Sequence, residues 1–145
     1  MATEPETVDA LITLANPRSG DVIYDLGCGD GRIVIAAAKR FGLRGVGIDI
    51  NPDRIAEATE NARKAGVSDL VTFRVGDLYE TDLRNATIVA LYLLRDVNIR
   101  LRPKLQRELK PGSRVVSHSF DMGDAWRPDK VVQFADDKLF LWTVR

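Results

Sequence analysis

The seven residues Asp25 to Gly31 read D-L-G-C-G-D-G, directly after the apolar run Val22-Ile23-Tyr24 and directly before the helix-like stretch Arg32 to Lys39. An acidic residue that closes a strand, three glycines at alternate positions and then a helix leave few folds open. Gly27, Gly29 and Gly31 let the chain turn sharply and bring bare backbone, with Cys28 as a small side chain among them, against whatever lies over the turn. The helix that follows offers free N–H groups at its first turn, which favour a negatively charged group such as a carboxylate.

Beyond this turn, strands and helices alternate. Thr3 with Glu6 three residues on, and Pro5 between them, reads as a capping box for a first helix through about Ala15. Asn16 to Gly20 breaks the chain before a strand from Val22 to Leu26. A helix from about Gly31 ends near Phe41-Gly42, and Arg44 to Ile48 is a short strand closed by Asp49. Asn51-Pro52 supplies a cap and first position for the next helix, and Gly66 a stop. Val71 to Val75 is a third strand ending in Gly76-Asp77, and Ala86 to Leu91 a fourth, nearly all apolar as in a strand buried on both faces. Asp96 to Leu109 is helical apart from Pro103, which should kink or restart it. Pro111-Gly112 turns into a fifth strand, Arg114 to Ser119. Val131 to Ala135 and Leu139 to Val144, separated by Asp136-Asp137-Lys138, carry a hairpin signal. The expected fold is α/β: a Rossmann-like, seven-stranded, mostly parallel sheet with helices on both faces and a C-terminal antiparallel hairpin. No linker or repeat divides the chain, so residues 1–145 are expected to form one domain, with 1–20 as N-terminal helix and linker and 21–145 as core. The chain stops one residue after the last strand, so any substrate should be met by loops.

Composition narrows the function. Lys plus Arg equals Asp plus Glu at 21 each, so no global field recruits nucleic acid or an anionic membrane. The start does not resemble a signal peptide, and no apolar run approaches a membrane span. Cys28 is the only cysteine, which excludes an internal disulfide and makes a cytoplasmic location the simplest reading. No Cys and His stand at ligand spacing, which argues against a metal site.

In open parallel sheets the ligand lies off the carboxyl ends of the strands. Asp25 ends the first strand, Asp49 the second and Asp77 follows the third. Asp49 stands 22 positions beyond Gly27, a spacing at which a carboxylate accepts hydrogen bonds from a ribose diol. The alternative for each aspartate is a plain cap of the turn or helix after it. A nicotinamide fingerprint would read G-x-G-x-x-G; here the third glycine comes one residue early and Arg32 occupies the last position. Two further groups fall at strand ends: Tyr92, in the apolar segment after the fourth strand, and His118, the one histidine, at the end of the fifth. The basic run Arg100-Leu101-Arg102-Pro103-Lys104 is either a phosphate-binding patch or a solvated helix face.

The early Gly31 and the strand-end Asp25 resemble the glycine loop of class I S-adenosylmethionine-dependent methyltransferases. A longer pattern sharpens this: D-L-G-C-G-D-G-R-I-V from Asp25, Y-L-L from Tyr92, R-P-K-L from Arg102 and L-K-P-G-S-R-V-V-S-H-S-F-D-M-G-D from Leu109 occur in order. Together they resemble the small protein-lysine methyltransferases that include archaeal broad-specificity enzymes and mitochondrial ones. The resemblance implies S-adenosyl-L-methionine as cofactor, bound by Asp25, Gly27, Cys28, Gly29, Gly31, Asp49, Ile50, Asp77 and Leu78. It implies a protein substrate with an accessible lysine, with Tyr92 and His118 as catalytic candidates; the charge balance and the lack of an apolar span argue against a membrane partner and weaken a nucleic-acid one without excluding it. The Asn or Asp followed by two prolines and an aromatic, found in many methyltransferases of adenine or glutamine nitrogen, is absent after the fourth strand. Alternatives are a methyltransferase of a small molecule or RNA, and a non-catalytic S-adenosylmethionine-binding module. The longer opening segment of the family, which lies over the cofactor, is reduced here to Ala2-Thr3-Glu4-Pro5.

Overall fold

Strands whose side chains are apolar on both faces need cover on both sides, and the chain provides it by winding helices around a central sheet. The computed structural model describes residues 3–145. Strands β1 (Val22–Leu26), β2 (Arg44–Asp49), β3 (Val71–Val75), β4 (Ile88–Leu91), β5 (Arg114–His118), β6 (Lys130–Phe134) and β7 (Asp137–Thr143) form one seven-stranded sheet in the order β3-β2-β1-β4-β5-β7-β6. The first five pair in parallel, while β7 lies antiparallel between β5 and β6. Helices α1 (Pro5–Leu14), α2 (Arg32–Phe41) and α3 (Pro52–Ala65) cover one face, where Leu11, Ile12, Val34 and Ala37 pack with Ile23 and Val116. Helix α4 (Arg95–Glu108) covers the other, with Leu101 and Leu105 fully buried beside Leu26, Leu91 and Trp142. Each such leucine contributes roughly 1.5–3 kcal/mol of burial.

Register decides where the strand ends meet. Leu26 of β1 is level with Ile48 of β2 and with Leu91 of β4, and Leu91 is level with Ser117 of β5. The residues that follow those strands therefore emerge along one edge: the glycine loop, Asp49, Tyr92 and His118.

Most elements fall where the residue patterns put them, and the exceptions have local causes. Thr3 does not cap α1. The helix begins after Glu4 without a side-chain cap, and the Thr3 hydroxyl turns instead to His118, 115 residues away. Pro103 does not restart α4, which runs unbroken from Arg95 to Glu108. Pro103 is exposed, on the outer side of α4, so its ring meets solvent rather than core. The hairpin turn is the two residues Ala135-Asp136, with Ala135 at φ 53, so Asp137 and Lys138 belong to β7. β4 starts at Ile88, two residues later than its apolar run, since Ala86 closes a turn onto Leu83. Only one-turn helices, Leu78–Glu80 and Gly123–Ala125, occupy the β3–β4 and β5–β6 connections, so the second face of the sheet has α4 as its one long helix among the described residues.

Gly31 sits at φ +85, and a Cβ there would come within 2.8 Å of the Phe73 ring and 3.0 Å of Ala58. Left-handed strain and overpacking each cost about 1–3 kcal/mol for a non-glycine residue. Gly31→Ala is therefore expected to lower stability by roughly 2–4 kcal/mol, measured by urea unfolding; a loss below about 0.5 kcal/mol would mean that the loop relaxes freely.

Candidate active site

The glycine loop is held by the end of β2. The N–H groups of Gly27 and Cys28 both donate to the Ile48 carbonyl, at 2.8 and 2.9 Å, and Gly29 N–H donates to Asp49 Oδ2 at 3.0 Å. Asp49 Oδ1 accepts from Asn51 N–H at 3.0 Å, and the Asn51 side chain caps α3. Asp49 thus ties the loop to the next helix while its half-exposed carboxylate keeps lone pairs open to the cleft.

Asp25 lies beneath the loop, buried, and no donor among the described residues reaches its carboxylate. Burial, with the nearby charges of Asp49 and Asp30 adding to it, pushes its pKa up to about 7. Burial and the same acidic neighbours push the Cys28 thiol well above the ordinary thiol range, which leaves it unreactive. Asp30 behaves oppositely: hydrogen bonds from Arg32, with Nε at 3.0 Å and Nη2 at 2.5 Å, hold its carboxyl below the usual range.

Two hollows flank the loop, and a third adjoins one of them at Tyr92. Along β2 and β3, Gly27, Asp49, Ile50, Asp77, Leu78, Tyr79 and Arg100 line a cleft of about 400 Å³. Asp77 accepts from Tyr79 N–H at 2.9 Å and is exposed on its rim, as is Ile50. The Arg100 guanidinium lies over the Tyr79 ring, 4.2 Å from its centroid. On the other side, Asp25, Gly27, Cys28, Gly29, Thr3, Arg54 and Tyr92 surround a smaller hollow. Tyr92 also lines the third, with Leu93, Leu94, Val97 and Phe120, so one ring stands at the junction of a polar pocket and an apolar one.

The Tyr92 ring packs between His118, 4.1 Å between centroids, and Phe120, 6.2 Å. His118 is buried; its Nδ1 is 3.0 Å from Thr3 Oγ1 and its Nε2 is 3.0 Å from Asp137 Oδ2. The second contact is close but off the line of a ring N–H, so it is not an aligned hydrogen bond. Beyond His118, Ser119 adopts φ 70, and buried Asn98 of α4 donates to the Phe120 carbonyl at 3.1 Å, which sets Phe120 beside Tyr92.

Of the site residues named from the sequence, Asp25, Gly27, Cys28, Gly29, Asp49, Ile50, Asp77, Leu78 and Tyr92 line these hollows, His118 packs behind Tyr92, and Gly31 packs against Phe73 and Ala58 instead. Thr3, Asp30, Arg32, Arg54 and Asn98 were not among those named. Two had a signal: Arg32 is a cation at a helix N-terminus, where the dipole disfavours it, and Asn98 shares the apolar stripe of Leu101 and Leu105. Among the described residues no set of three His, Cys, Asp or Glu side chains is arranged to hold a metal ion.

A buried carboxylate without a donor and carboxylates at successive strand ends, set around a glycine loop that lines both hollows, fit a cationic nucleoside cofactor. With β7 antiparallel in an otherwise parallel array, they define a class I S-adenosylmethionine-dependent methyltransferase. The model of the ANTKMT methyltransferase domain matches residues 25–130, and the chain belongs to that family. It is 44% identical over 138 residues to a protein-lysine N-methyltransferase of Saccharolobus islandicus (strain REY15A), covering 94% of this chain and 85% of that protein. It is 38% identical to the adenine nucleotide translocase lysine N-methyltransferase of Mus musculus, over 94% of this chain and 59% of the other. Among solved structures, an RNA methyltransferase from Salinibacter ruber in complex with S-adenosyl-L-homocysteine superposes with a TM-score of 0.97 at 53% identity, covering 99% of this chain and 94% of that one.

Because Asp25 is protonated more readily in the folded chain than in the unfolded one, its contribution to stability is complete below about pH 4 and is lost as pH rises through about 7. Removing the titration should therefore stabilise the cofactor-free protein at alkaline pH. Asp25→Asn is expected to melt above wild type at pH 8, by up to the order of 4 kcal/mol, and level with it at pH 4. Equal melting at both pH values would mean that the carboxylate is solvated.

Proposed function

We propose that the chain transfers methyl groups from S-adenosyl-L-methionine to lysine side chains of proteins. The observation that carries the reading is the position of Tyr92, shared between the pocket beneath the glycine loop and the apolar cleft of Leu93, Leu94, Val97 and Phe120. A lysine is an aliphatic arm with an amine tip, and an apolar cleft that ends at a methyl donor suits it. The names of the archaeal and mouse relatives support the same substrate.

S-adenosylmethionine supplies an activated methyl group on a sulfonium, so the protein's part is to bind and orient. Asp25 is assigned to the ammonium of the methionyl end, where a cation would restore its ordinary ionisation. Asp49 takes the ribose diol, Asp77 the adenine amino group, and Ile50 and Leu78 the faces of the adenine. Backbone at Gly27, Cys28, Gly29 and Gly31 gives the cofactor close approach. The apolar walls strip water from the incoming lysine, which lowers its pKa and leaves the lone pair free. The Tyr92 hydroxyl, which no described side chain or backbone group engages, accepts a hydrogen bond from that amine.

An RNA substrate is the second reading, favoured by the name of the Salinibacter ruber relative. Against it, the basic run is dispersed on α4: Lys104 is paired with Glu108 at 2.7 Å, Arg102 bonds Gln106 and Arg100 stacks on Tyr79. Near the cleft Arg95 is neutralised by Asp121 at 2.7 Å. We read residues 1–145 as one methyltransferase domain, with 1–20 as helix and linker, working in the cytoplasm; fractionation of tagged protein tests the compartment.

Tritiated S-adenosylmethionine in a cell extract should label discrete protein bands, and hydrolysis should release methyllysine. Label confined to RNA would replace the lysine reading. Asp49→Ala is expected to weaken cofactor binding by 100-fold or more, as the loss of two charge-assisted bonds; unchanged affinity by calorimetry would remove it from the ribose. Tyr92→Phe should lower kcat roughly tenfold, the value of one hydrogen bond, with cofactor affinity kept.

A further inference from the structure

We propose that His118 is a positioning residue that fastens the N-terminal segment across the methionyl end of the cofactor pocket through Thr3, and in the same place fixes the ring of Tyr92. The proposal rests on the methyltransferase reading and adds to it a part for two residues that touch no reacting atom.

Thr3 is buried and lines the pocket with Asp25, Gly27 and Tyr92. Among the described residues nothing local holds it there, because α1 begins without a side-chain cap. Its position comes from two distant bonds. Its hydroxyl is 3.0 Å from His118 Nδ1, and its carbonyl accepts from Arg32 Nη1 at 2.9 Å. Arg32 is itself clamped by Asp30, whose backbone carbonyl accepts from Asn61 of α3 at 3.0 Å. The segment is therefore pinned from both sides of the pocket, by the glycine loop and by the end of β5.

The charge around His118 defines its part. The Asp137 carboxylate of β7, 3.0 Å from Nε2, favours the tautomer with hydrogen on Nε2. Nδ1 then carries the lone pair and accepts from the Thr3 hydroxyl. With one nitrogen on Thr3 and the other facing Asp137, neither remains for a substrate amine. The face of the ring is used instead, against Tyr92 at 4.1 Å. Loss of the Thr3 bond frees the segment and opens an exit for the cofactor. Loss of the ring frees Tyr92.

The test is the dissociation rate of S-adenosylhomocysteine, followed by stopped-flow competition, with circular dichroism to establish folding. Thr3→Val, which keeps shape and removes the hydroxyl, should speed dissociation roughly tenfold, and Thr3→Ser should restore the wild-type rate. His118→Phe, which keeps a ring against Tyr92 but no Nδ1, should match Thr3→Val, and the double variant should be no faster than either. Wild-type dissociation from Thr3→Val, or effects that multiply in the double variant, would overturn the proposal. Should His118→Phe not fold, the Thr3→Val and Thr3→Ser pair decides. Failure of the wild-type protein to bind S-adenosylhomocysteine would instead overturn the methyltransferase reading.

Discussion

The Ile48 carbonyl accepts two hydrogen bonds, from Gly27 and Cys28, and the rest of the site depends on that attachment. It fixes the glycine loop to the end of β2, so the loop cannot move without breaking the β1–β2 register. The loop in turn sets the first residue of α2 and the approach of α2 to α3, because the Phe73 ring, with Ala58 at Gly31 and Cys28 at Gly47, fills the space that a Cβ would need. Three strands and two helices are coupled within a few ångströms. A side chain at either glycine would separate them, which is why the motif constrains the fold more tightly than any stretch of apolar residues.

The same attachment gathers negative charge. Asp25, Asp30 and Asp49 come together without a matching set of cations: Arg32 serves Asp30, and Asp25 has no donor. Left alone, this is a destabilised arrangement, with a carboxyl kept partly protonated near neutral pH. Such local conflict is expected at a functional site and rare elsewhere. The opposite edge of the sheet shows the contrast, where Asp21 is bonded by Arg114 at 2.5 Å and by Thr87 at 2.7 Å and joins β1, β4 and β5.

Much of this was legible in the residues. Asn51-Pro52 and Gly66 bounded α3 where they stand, because capping and left-handed closure are local requirements. β1 and β3 matched their apolar runs residue for residue. The aspartates at strand ends followed from the rule that parallel strands deliver their carboxyl ends to one edge. The reading of Thr3 as a cap went astray because a capping box and a distant anchor have the same local sequence; only the approach of His118 distinguishes them. Pro103 misled for a related reason: what a proline does to a helix depends on which side of the helix it occupies, and Pro103 stands on the exposed side, which is set by the packing of α4.

The sequence by itself determined the alternation of strands and helices, the conformation of the glycine loop and the kind of ligand that the loop accepts. These rest on backbone freedom and short-range periodicity, which a chain carries from residue to residue. Tertiary structure decided the rest: that Tyr92 stands between a polar and an apolar pocket, that His118 faces Thr3 and Asp137, and that Asp25 is buried without a donor. Each of these depends on strand register and on contacts spanning much of the chain, up to the 115 residues between Thr3 and His118. Burial and distance are properties of the packed molecule, and they set the pKa of a carboxylate and the bonds of an imidazole.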